Sequence, residues 1–214
     1  MILGSAFHTF VLENDKFMNE YAVLPDKIDR RTAWGKEIYA DFEARSRGKI
    51  ILSPDDFMLI ENMFLSLKNS MAWALIEGAR YEHSFFWRDE HSGLMVKCRP
   101  DILRHNAIID LKTCTNADTR SFQNQMYQED YHVQGAMIRE GIHQNTGVDI
   151  ETVINICVEK SYPYAVGIKI ISLSALERGH MIFKQSLIDM KDCMEKNQWN
   201  SYGTDEVELP KWAI

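Results

Sequence analysis

The chain has few cysteines, and their spacing does not suit a thiol-ligated metal. Its four cysteines are Cys98, Cys114, Cys157 and Cys193, and no two of them form a Cys-x-x-Cys pair. Zinc ribbons and iron–sulfur clusters need such closely spaced thiols, so the sequence has no framework for either. Unpaired thiols are the default in a reducing compartment, and we therefore expect a cytoplasmic protein.

Long apolar runs are also absent. No stretch is long and apolar enough to cross a bilayer, and the N-terminus has no basic region followed by an apolar run. We therefore expect a soluble protein with no membrane partner. With 214 residues, 45% of them hydrophobic, the chain can bury one sizeable core. The expected organisation is a single domain over residues 1–214.

Positive charge is in deficit, since the formal net charge is −7. A surface that binds nucleic acid is normally basic, so this balance weakens such a role. It does not exclude one, because a site for divalent cations concentrates acidic ligands. Arg30, Arg31 and Lys36 form a local basic cluster. Consecutive arginines at the front of a helix can bind phosphate through bidentate contacts, and an ordinary solvated surface is an equally good interpretation.

Hydrophobic periodicity predicts helices first and strands later in the chain. The predicted helices cover about 4–13, 33–47, 53–68, 70–78, 120–143 and 174–196. The predicted strands cover 82–88, 94–99, 107–112, 152–159 and 166–171. This order indicates an α/β fold, in the broad sense that includes α+β, with a central mixed β-sheet flanked by helices.

Two carboxylates and one lysine follow neighbouring predicted strands. Cys98-Arg99-Pro100-Asp101 closes one strand, and Asp110-Leu111-Lys112-Thr113 lies at the end of the next. Residues two apart on a strand point to one face, so Asp110 and Lys112 should share a pocket while Leu111 points away. Such a set is the minimum that can hold a divalent metal against a phosphodiester and activate water.

The apolar setting favours this chemical interpretation over a structural one. Ile108 and Ile109 place Asp110 at the end of a buried strand, where an unpaired carboxylate is costly. Two alternatives remain open on the sequence: Asp101 could cap a turn, and Asp110 with Lys112 could form a surface ion pair.

Six ordered pieces of the chain resemble the RecE (exonuclease VIII) family, in the RecB-like branch of the PD-(D/E)xK nuclease superfamily. The pieces are Leu3-Gly4-Ser5-Ala6-Phe7-His8, Arg30-Arg31-Thr32, Cys98-Arg99-Pro100-Asp101, Asp110-Leu111-Lys112-Thr113, Tyr131-His132-Val133-Gln134 and Leu209-Pro210-Lys211-Trp212-Ala213. One Asp-x-Lys alone would be weak, whereas an ordered series is specific. The resemblance implies the restriction-endonuclease-like nuclease core of that superfamily.

The resemblance also implies roles for residues that match the family's motifs. Asp101 and Asp110 are similar to its two carboxylate metal ligands, and Lys112 to the lysine that orients or activates the attacking water. His8 is similar to the histidine that joins the metal shell. Gln134 stands where the family's Gln-x-x-x-Tyr motif begins.

The match then breaks, because the tyrosine position of that motif is Ile138. Tyr131 lies one helical turn before Gln134, and residues three apart share a helix face. Tyr131 is therefore a candidate for supplying the hydroxyl.

Three further residues complete the predicted site. Glu82 opens the neighbouring predicted strand and could add a metal or water contact, against the alternative of a solvated edge residue. The backbone carbonyl of Leu111 is a candidate metal ligand. Arg99 is a candidate DNA contact beside the first carboxylate.

Hard oxygen ligands without cysteine suit Mg²⁺, with Mn²⁺ able to substitute for it. Lys112 would need a depressed pKa to act as a proton acceptor, and nearby carboxylates oppose that. We therefore expect Lys112 to orient the nucleophile and stabilise developing charge rather than act as a simple general base.

The resemblance implies a Mg²⁺-dependent exonuclease that digests linear double-stranded DNA from 5′ to 3′ and leaves 3′ single-stranded tails for recombination by strand annealing. It further implies a bacterial or phage-encoded protein, a toroidal homotetramer and a companion annealing protein of RecT type. The domain could be the C-terminal part of a longer product. The alternatives are an endonuclease of the same fold and a non-catalytic DNA-end-binding or assembly module.

Overall fold

The computed structural model describes residues 2–26, 28–199 and 201–210. The end of the predicted C-terminal motif, Lys211-Trp212-Ala213, lies outside these residues. The helices are α1 (Ile2–Leu12), α2 (Asn14–Glu20), α3 (Ala33–Arg45), α4 (Pro54–Lys68), α5 (Trp73–Ile76), α6 (Thr119–Gln128), α7 (Tyr131–Thr146) and α8 (Leu173–Lys196). The strands are β1 (Tyr21–Val23), β2 (Ile50–Leu52), β3 (Arg80–Tyr81), β4 (Phe85–Arg88), β5 (Met95–Cys98), β6 (Ile102–Leu103), β7 (Ala107–Cys114), β8 (Thr152–Glu159) and β9 (Val166–Ile170).

The main sheet has five strands in the order β3-β6-β7-β8-β9. The β7–β8 pair is parallel, and the other neighbours are antiparallel. Separate from it are a parallel β1–β2 pair and an antiparallel β4–β5 hairpin. The predicted fold class, a mixed sheet flanked by helices, is confirmed.

Both faces of the sheet are covered, which explains why β8 is almost uniformly buried. Ile109 and Leu111 of β7 pack with α1 and α4 on one face. Ile108 and Val153 pack with α7, α8 and the hairpin on the other face. No helix among the described residues has the length and apolar character needed to span a membrane. The centre of β7 therefore lies between two apolar layers.

The prediction of one helix over 120–143 was wrong, because two helices occupy this segment. Asp118 caps α6 by accepting hydrogen bonds from the backbone N–H groups of Arg120 and Ser121. Between the helices, Asp130 adopts the left-handed conformation, with φ +53°. A residue in that conformation cannot continue a right-handed helix, so α7 starts anew at Tyr131. This break places Tyr131 in the first turn of α7.

The predicted strands over 82–88 and 94–99 are shortened to β4 and β5, and they form a hairpin outside the main sheet. The antiparallel neighbour of β7 is instead β6, which has only two residues and carries too little periodicity to be predicted. The sequence predicts that Asp110 ends its strand, whereas it lies in the middle of β7. Parallel pairing with β8 continues to Cys114 and carries β7 past Asp110.

A buried ion-pair network fixes α8 against the hairpin and α7. Lys184 of α8 pairs with Asp89 in the hairpin turn and, at 2.9 Å, with Glu140 of α7. Asp89 is 1% exposed and also accepts hydrogen bonds from the backbone and hydroxyl of Ser92 at 2.7 Å. Burial works to raise the pKa of Asp89, but the Lys184 and Ser92 hydrogen bonds outweigh it and hold this pKa well below its ordinary value.

Lys184→Met should lower the free energy of unfolding by about 3 kcal/mol at neutral pH, because it leaves the buried carboxylate of Asp89 without its cation. Glu140 keeps its contact with His180 at 2.8 Å. The folded-state pKa of Asp89 is depressed, so its contribution is complete above the ordinary carboxyl pKa of about 3.9 and is lost as the pH falls below it. The difference from wild type should therefore shrink below about pH 4. Urea unfolding over a pH series measures this.

Lys191→Met on the same helix is the matched control, since Lys191 forms an exposed pair with Glu195 at 3.9 Å. It should cost less than about 0.5 kcal/mol at any pH. Equal losses in the two variants would show that the Lys184 network does not stabilise the fold.

Candidate metal and catalytic site

The site lies where β6 and β7 separate. β6 pairs with Ile108 and Ile109 and then ends, leaving the next part of this β7 edge open to side chains. There the Leu111 N–H donates a hydrogen bond to Asp101 Oδ2 at 2.8 Å. The carboxylate of Asp101 is thus held against β7 by the backbone. The side chain of Asp101 therefore binds the backbone of β7, whereas the alternative from the sequence was a cap on a turn.

Asp101, Glu82 and His8 form one cluster. His8 Nε2 on α1 lies 3.0 Å from Asp101 Oδ2 and 3.4 Å from Glu82 Oε1. One potential ligand atom from each residue lies within 4.8 Å of the others. The Glu82 N–H donates to the Asp101 carbonyl at 3.0 Å, which ties the two acidic residues together through the backbone. The structure therefore brings together an imidazole and two carboxylates that the sequence separates by up to 93 positions.

Helix α1 can bring His8 here because it packs closely on β7. A Cβ added at Gly4 would lie 3.3 Å from Thr113 Oγ1, a tight contact that the glycine avoids. The cluster opens into a cleft of about 640 Å³. Further residues that line this cleft include Glu13, Glu20, Tyr21, Arg99 and Lys112.

The charges in the cluster affect one another. Burial works to lower the pKa of His8, but the hydrogen bond to Asp101 and the charges of Asp101 and Glu82 outweigh it, so this pKa is raised. Burial also raises the pKa of Glu82, against an opposing hydrogen bond from Arg99. The two carboxylates therefore favour the protonated form of His8. A divalent cation bound to the same oxygens would serve the same electrostatic purpose.

Asp110 and Lys112 share one face of β7, as strand alternation predicts. Lys112 Nζ lies 2.8 Å from Asp110 Oδ2, and their side chains are only 21% and 13% exposed. The pair is therefore largely buried rather than the solvated surface pair that the sequence left open. Gln134 Nε2 donates to Asp110 Oδ1 at 3.0 Å, and Asn155 Nδ2 donates to Asp110 Oδ2 at 3.1 Å. Burial and the charge of Asp101 raise the pKa of Asp110, although Lys112 opposes the shift.

Lys112 is held by three neighbours. Besides Asp110, it donates to Gln134 Oε1 at 3.3 Å and lies 4.4 Å from the centre of the Tyr131 ring. Burial works to lower the pKa of Lys112, but the charge and hydrogen bond of Asp110 outweigh it and raise this pKa. The side chain is thus an ammonium group, which suits orientation and charge stabilisation better than proton abstraction.

Tyr131 contacts Lys112 through its ring rather than its hydroxyl. The Tyr131 hydroxyl accepts a hydrogen bond from Gln125 Nε2 at 3.1 Å, which directs it toward α6. Ile138, at the family's tyrosine position, is 5% exposed and packs in the apolar core. It lines a cavity of about 10 Å³ whose wall also includes Asp110 and Gln134. Tyr131 therefore makes a cation–π contact with Lys112. The position at which the family has its tyrosine is apolar in this chain, because Ile138 occupies it.

The predicted DNA-contact residues lie in two places. Arg99 pairs with Glu82 and, at 3.3 Å, with Glu13, so it lies at the rim of the cluster. Arg30 stacks 3.4 Å from the centre of the Tyr39 ring, whereas Arg31 is bound bidentately by Asp29 at 3.0 and 3.1 Å. Lys36 is exposed on α3. These three residues belong to a segment that the described contacts do not join to the cluster.

Leu111 contributes its backbone to the site, and not its side chain. Its side chain is 6% exposed and packs in the core beneath α1, while its N–H binds Asp101. Sequence reasoning missed Asn155, which is the only amide within the buried run Val153–Val158. An amide inside such a run was the available signal, because a buried polar group needs a partner.

The sequence matches a family model along nearly its whole length. The model describes a PDDEXK-like domain of unknown function (DUF3799), and it matches residues 1–210. The chain belongs to this family. Membership of DUF3799 places the protein among PDDEXK-like domains and supports a nuclease, and it does not specify the RecE branch. A search of curated proteins gave no match.

One solved structure shares the fold of this chain. The crystal structure of a "putative exonuclease" from Eubacterium rectale aligns with a TM-score of 0.55 at 14% sequence identity, covering 94% of this chain and 89% of that chain. At this identity the likeness shows the fold alone. The structure of SSO0001 aligns with a TM-score of 0.34 at 14% identity, over 87% of this chain and 85% of that chain, and carries no argument.

The donor set of this DUF3799 protein fits a divalent cation. PDDEXK nucleases generally depend on such cations, and the cluster offers one imidazole and two carboxylates in a single cleft. Carboxylate oxygens suit Mg²⁺ and Mn²⁺, and no thiolate stands among the three donors. His8, Glu82 and Asp101 are therefore the residues that would hold the cation.

Tyr131→Phe should leave the catalytic rate within about threefold of wild type, because the ring that contacts Lys112 remains and cation–π contacts are worth only about 0.5–2 kcal/mol in all. Tyr131→Leu should lower the rate by about tenfold, since the lysine loses that ring. Steady-state nuclease assays of the two variants measure the difference. If Tyr131→Phe loses as much activity as Tyr131→Leu, the hydroxyl rather than the ring is the active part.

Proposed function

We propose that this protein is a metal-dependent nuclease that hydrolyses phosphodiester bonds in DNA, and that it acts as an exonuclease on linear duplexes. The observation that carries the proposal is the meeting of the His8, Glu82 and Asp101 cluster with the Asp110–Lys112 pair at one edge of β7. Membership of a PDDEXK-like family supports the same chemistry.

The residues divide the work between binding and orientation. His8, Glu82 and Asp101 would hold the cation in the cleft, and Asp110 and the Leu111 carbonyl would offer further oxygen donors. When bound, a divalent cation supplies Lewis-acid chemistry, since it polarises the phosphodiester and favours the ionisation of water. We propose Mg²⁺ as the natural cation, with Mn²⁺ able to replace it, because oxygen ligands predominate.

Lys112 directs its ammonium group at the reacting phosphate and the attacking water. Asp110 and Gln134 hold that group in place from β7 and α7. A fixed cation stabilises charge that develops on the phosphate oxygens in the transition state. The raised pKa of Lys112 supports this assignment, because the group remains charged while it orients the nucleophile.

DNA contact is proposed for Arg30, Arg31, Lys36 and Arg99. Arg30, Arg31 and Lys36 lie around the start of α3. Gly35 is the buried residue of this helix, so most of the helix surface is open to a partner. Arg99 lies beside the cluster and lines its cleft. Phosphate binding at these positions would supply positive charge locally although the whole chain carries −7.

The finer features of the proposal rest on the motifs that resemble RecE. They are digestion from 5′ to 3′ that leaves 3′ tails for recombination by strand annealing, a toroidal homotetramer, an annealing partner of RecT type and a cytoplasmic location in a bacterial or phage setting. Their support is the ordered series of six motif pieces as a whole.

The test compares linear duplex DNA, labelled at its ends, with a covalently closed circle of the same sequence. Wild-type protein with Mg²⁺ should degrade only the linear duplex, and chelation of the metal should stop the reaction. Lys112→Met should lower the rate at least about 100-fold, as loss of one transition-state donor does, while DNA binding is retained. Lys169→Met is the matched control, because Lys169 lies on the same sheet and contacts Thr119 instead of the cluster.

Three other outcomes would contradict parts of the proposed function. Cleavage of closed circles would replace the exonuclease with an endonuclease of the same fold. DNA binding without metal-dependent cleavage would indicate a non-catalytic end-binding module. Full activity in Lys112→Met would contradict the assignment of Lys112.

A further inference from the structure

Asn155 occupies an unusual place in the core. It lies in the buried run of β8 and is 2% exposed, with Ile154 and Ile156 as its chain neighbours. In the parallel register of β7 and β8, Asn155 stands directly opposite Asp110. The two polar side chains therefore meet on the same face of adjacent central strands, between apolar layers.

The Asn155 amide donates to the carboxylate of Asp110, with Nδ2 3.1 Å from Oδ2. The opposite oxygen, Oδ1, accepts from Gln134 Nε2 at 3.0 Å. Each oxygen of Asp110 thus receives one neutral donor, and the donors come from a strand and a helix on different sides. Two such donors fix the plane and tilt of a carboxylate without adding charge, so they hold Asp110 in the orientation in which its Oδ2 also lies 2.8 Å from Lys112 Nζ.

The carbonyl oxygen of the Asn155 amide is evidence against a role in packing alone. Asn155 Oδ1 is buried and has no hydrogen-bond partner among the described residues. An unpaired buried acceptor is destabilising, and a valine or isoleucine like its neighbours would avoid this cost. The residue type therefore serves the donor that faces Asp110.

We propose that Asn155 is a positioning residue that orients Asp110 for cation binding and for its contact with Lys112. This inference rests on the proposed function and deepens it. Residues that hydrogen-bond to a metal ligand commonly set its affinity, and their loss typically costs about 10–100-fold in metal affinity or activity.

The experiment measures Mn²⁺ affinity by isothermal titration calorimetry and DNA hydrolysis on the same protein samples. Asn155→Leu keeps the branched shape of the side chain and removes the donor, and Asn155→Val removes the donor with a β-branched side chain that strands favour. Both should weaken Mn²⁺ binding by about 10–100-fold and lower kcat, with little change in KM for DNA. Val153→Ala is the control, because Val153 is buried on the same face of β8 and packs near Gly135 in the apolar core, but its side chain has no hydrogen-bond donor for Asp110.

A loss caused only by poorer folding would appear in Val153→Ala as well, and thermal melts of all variants check this. Wild-type Mn²⁺ affinity in both Asn155 variants would overturn the positioning role, as would equal losses of affinity in the control. Wild-type protein that binds Mn²⁺ but cleaves no DNA would overturn the proposed function alone, and the affinity comparison would still decide the role of Asn155. Wild-type protein that binds no Mn²⁺ would overturn both.

Discussion

The site depends on a carboxylate that is buried in the middle of a hydrophobic sheet. Asp110 stands at the centre of β7, and an ionised group in that position is tolerated only when it is paired and hydrogen-bonded. Lys112, Gln134 and Asn155 meet this need from β7, α7 and β8. The register of the sheet and the start of α7 therefore both determine which side chains surround Asp110. A change in either would disturb Lys112 as well.

Part of this arrangement follows from local rules. Strand alternation correctly places Asp110 and Lys112 on one face, because the period of two is a property of every strand. The long strand β8 and the capped helix α4 were also predicted, since each carries a full local signal. The meeting of His8 with Asp101 could not follow from such rules. It was expected only through resemblance to a nuclease family, and packing of α1 on β7 brings it about.

Other features depend on contacts that are distant in sequence. The two-residue strand β6 exists because it pairs with β7, and its short length opens the edge where Asp101 binds the Leu111 N–H. The break at Asp130 interrupts a sequence that otherwise favours helix, and it separates α6 from α7. Asn155 lies within the predicted strand 152–159, and the sequence gives it no role. Its contact with Asp110 exists only because β8 lies beside β7, and the cavity that Ile138 lines likewise forms only in the folded chain.

The central claim is that His8, Glu82 and Asp101 form a cation site beside Asp110 and Lys112. Anomalous diffraction from crystals grown with Mn²⁺ tests it most directly, because the signal locates the ion without reference to activity. The account predicts a peak bonded to His8 Nε2 and to the Asp101 carboxylate, within the cleft that Lys112 lines. A peak elsewhere, such as the groove where His180 pairs with Glu140, or no peak in crystals saturated with Mn²⁺, would contradict the account.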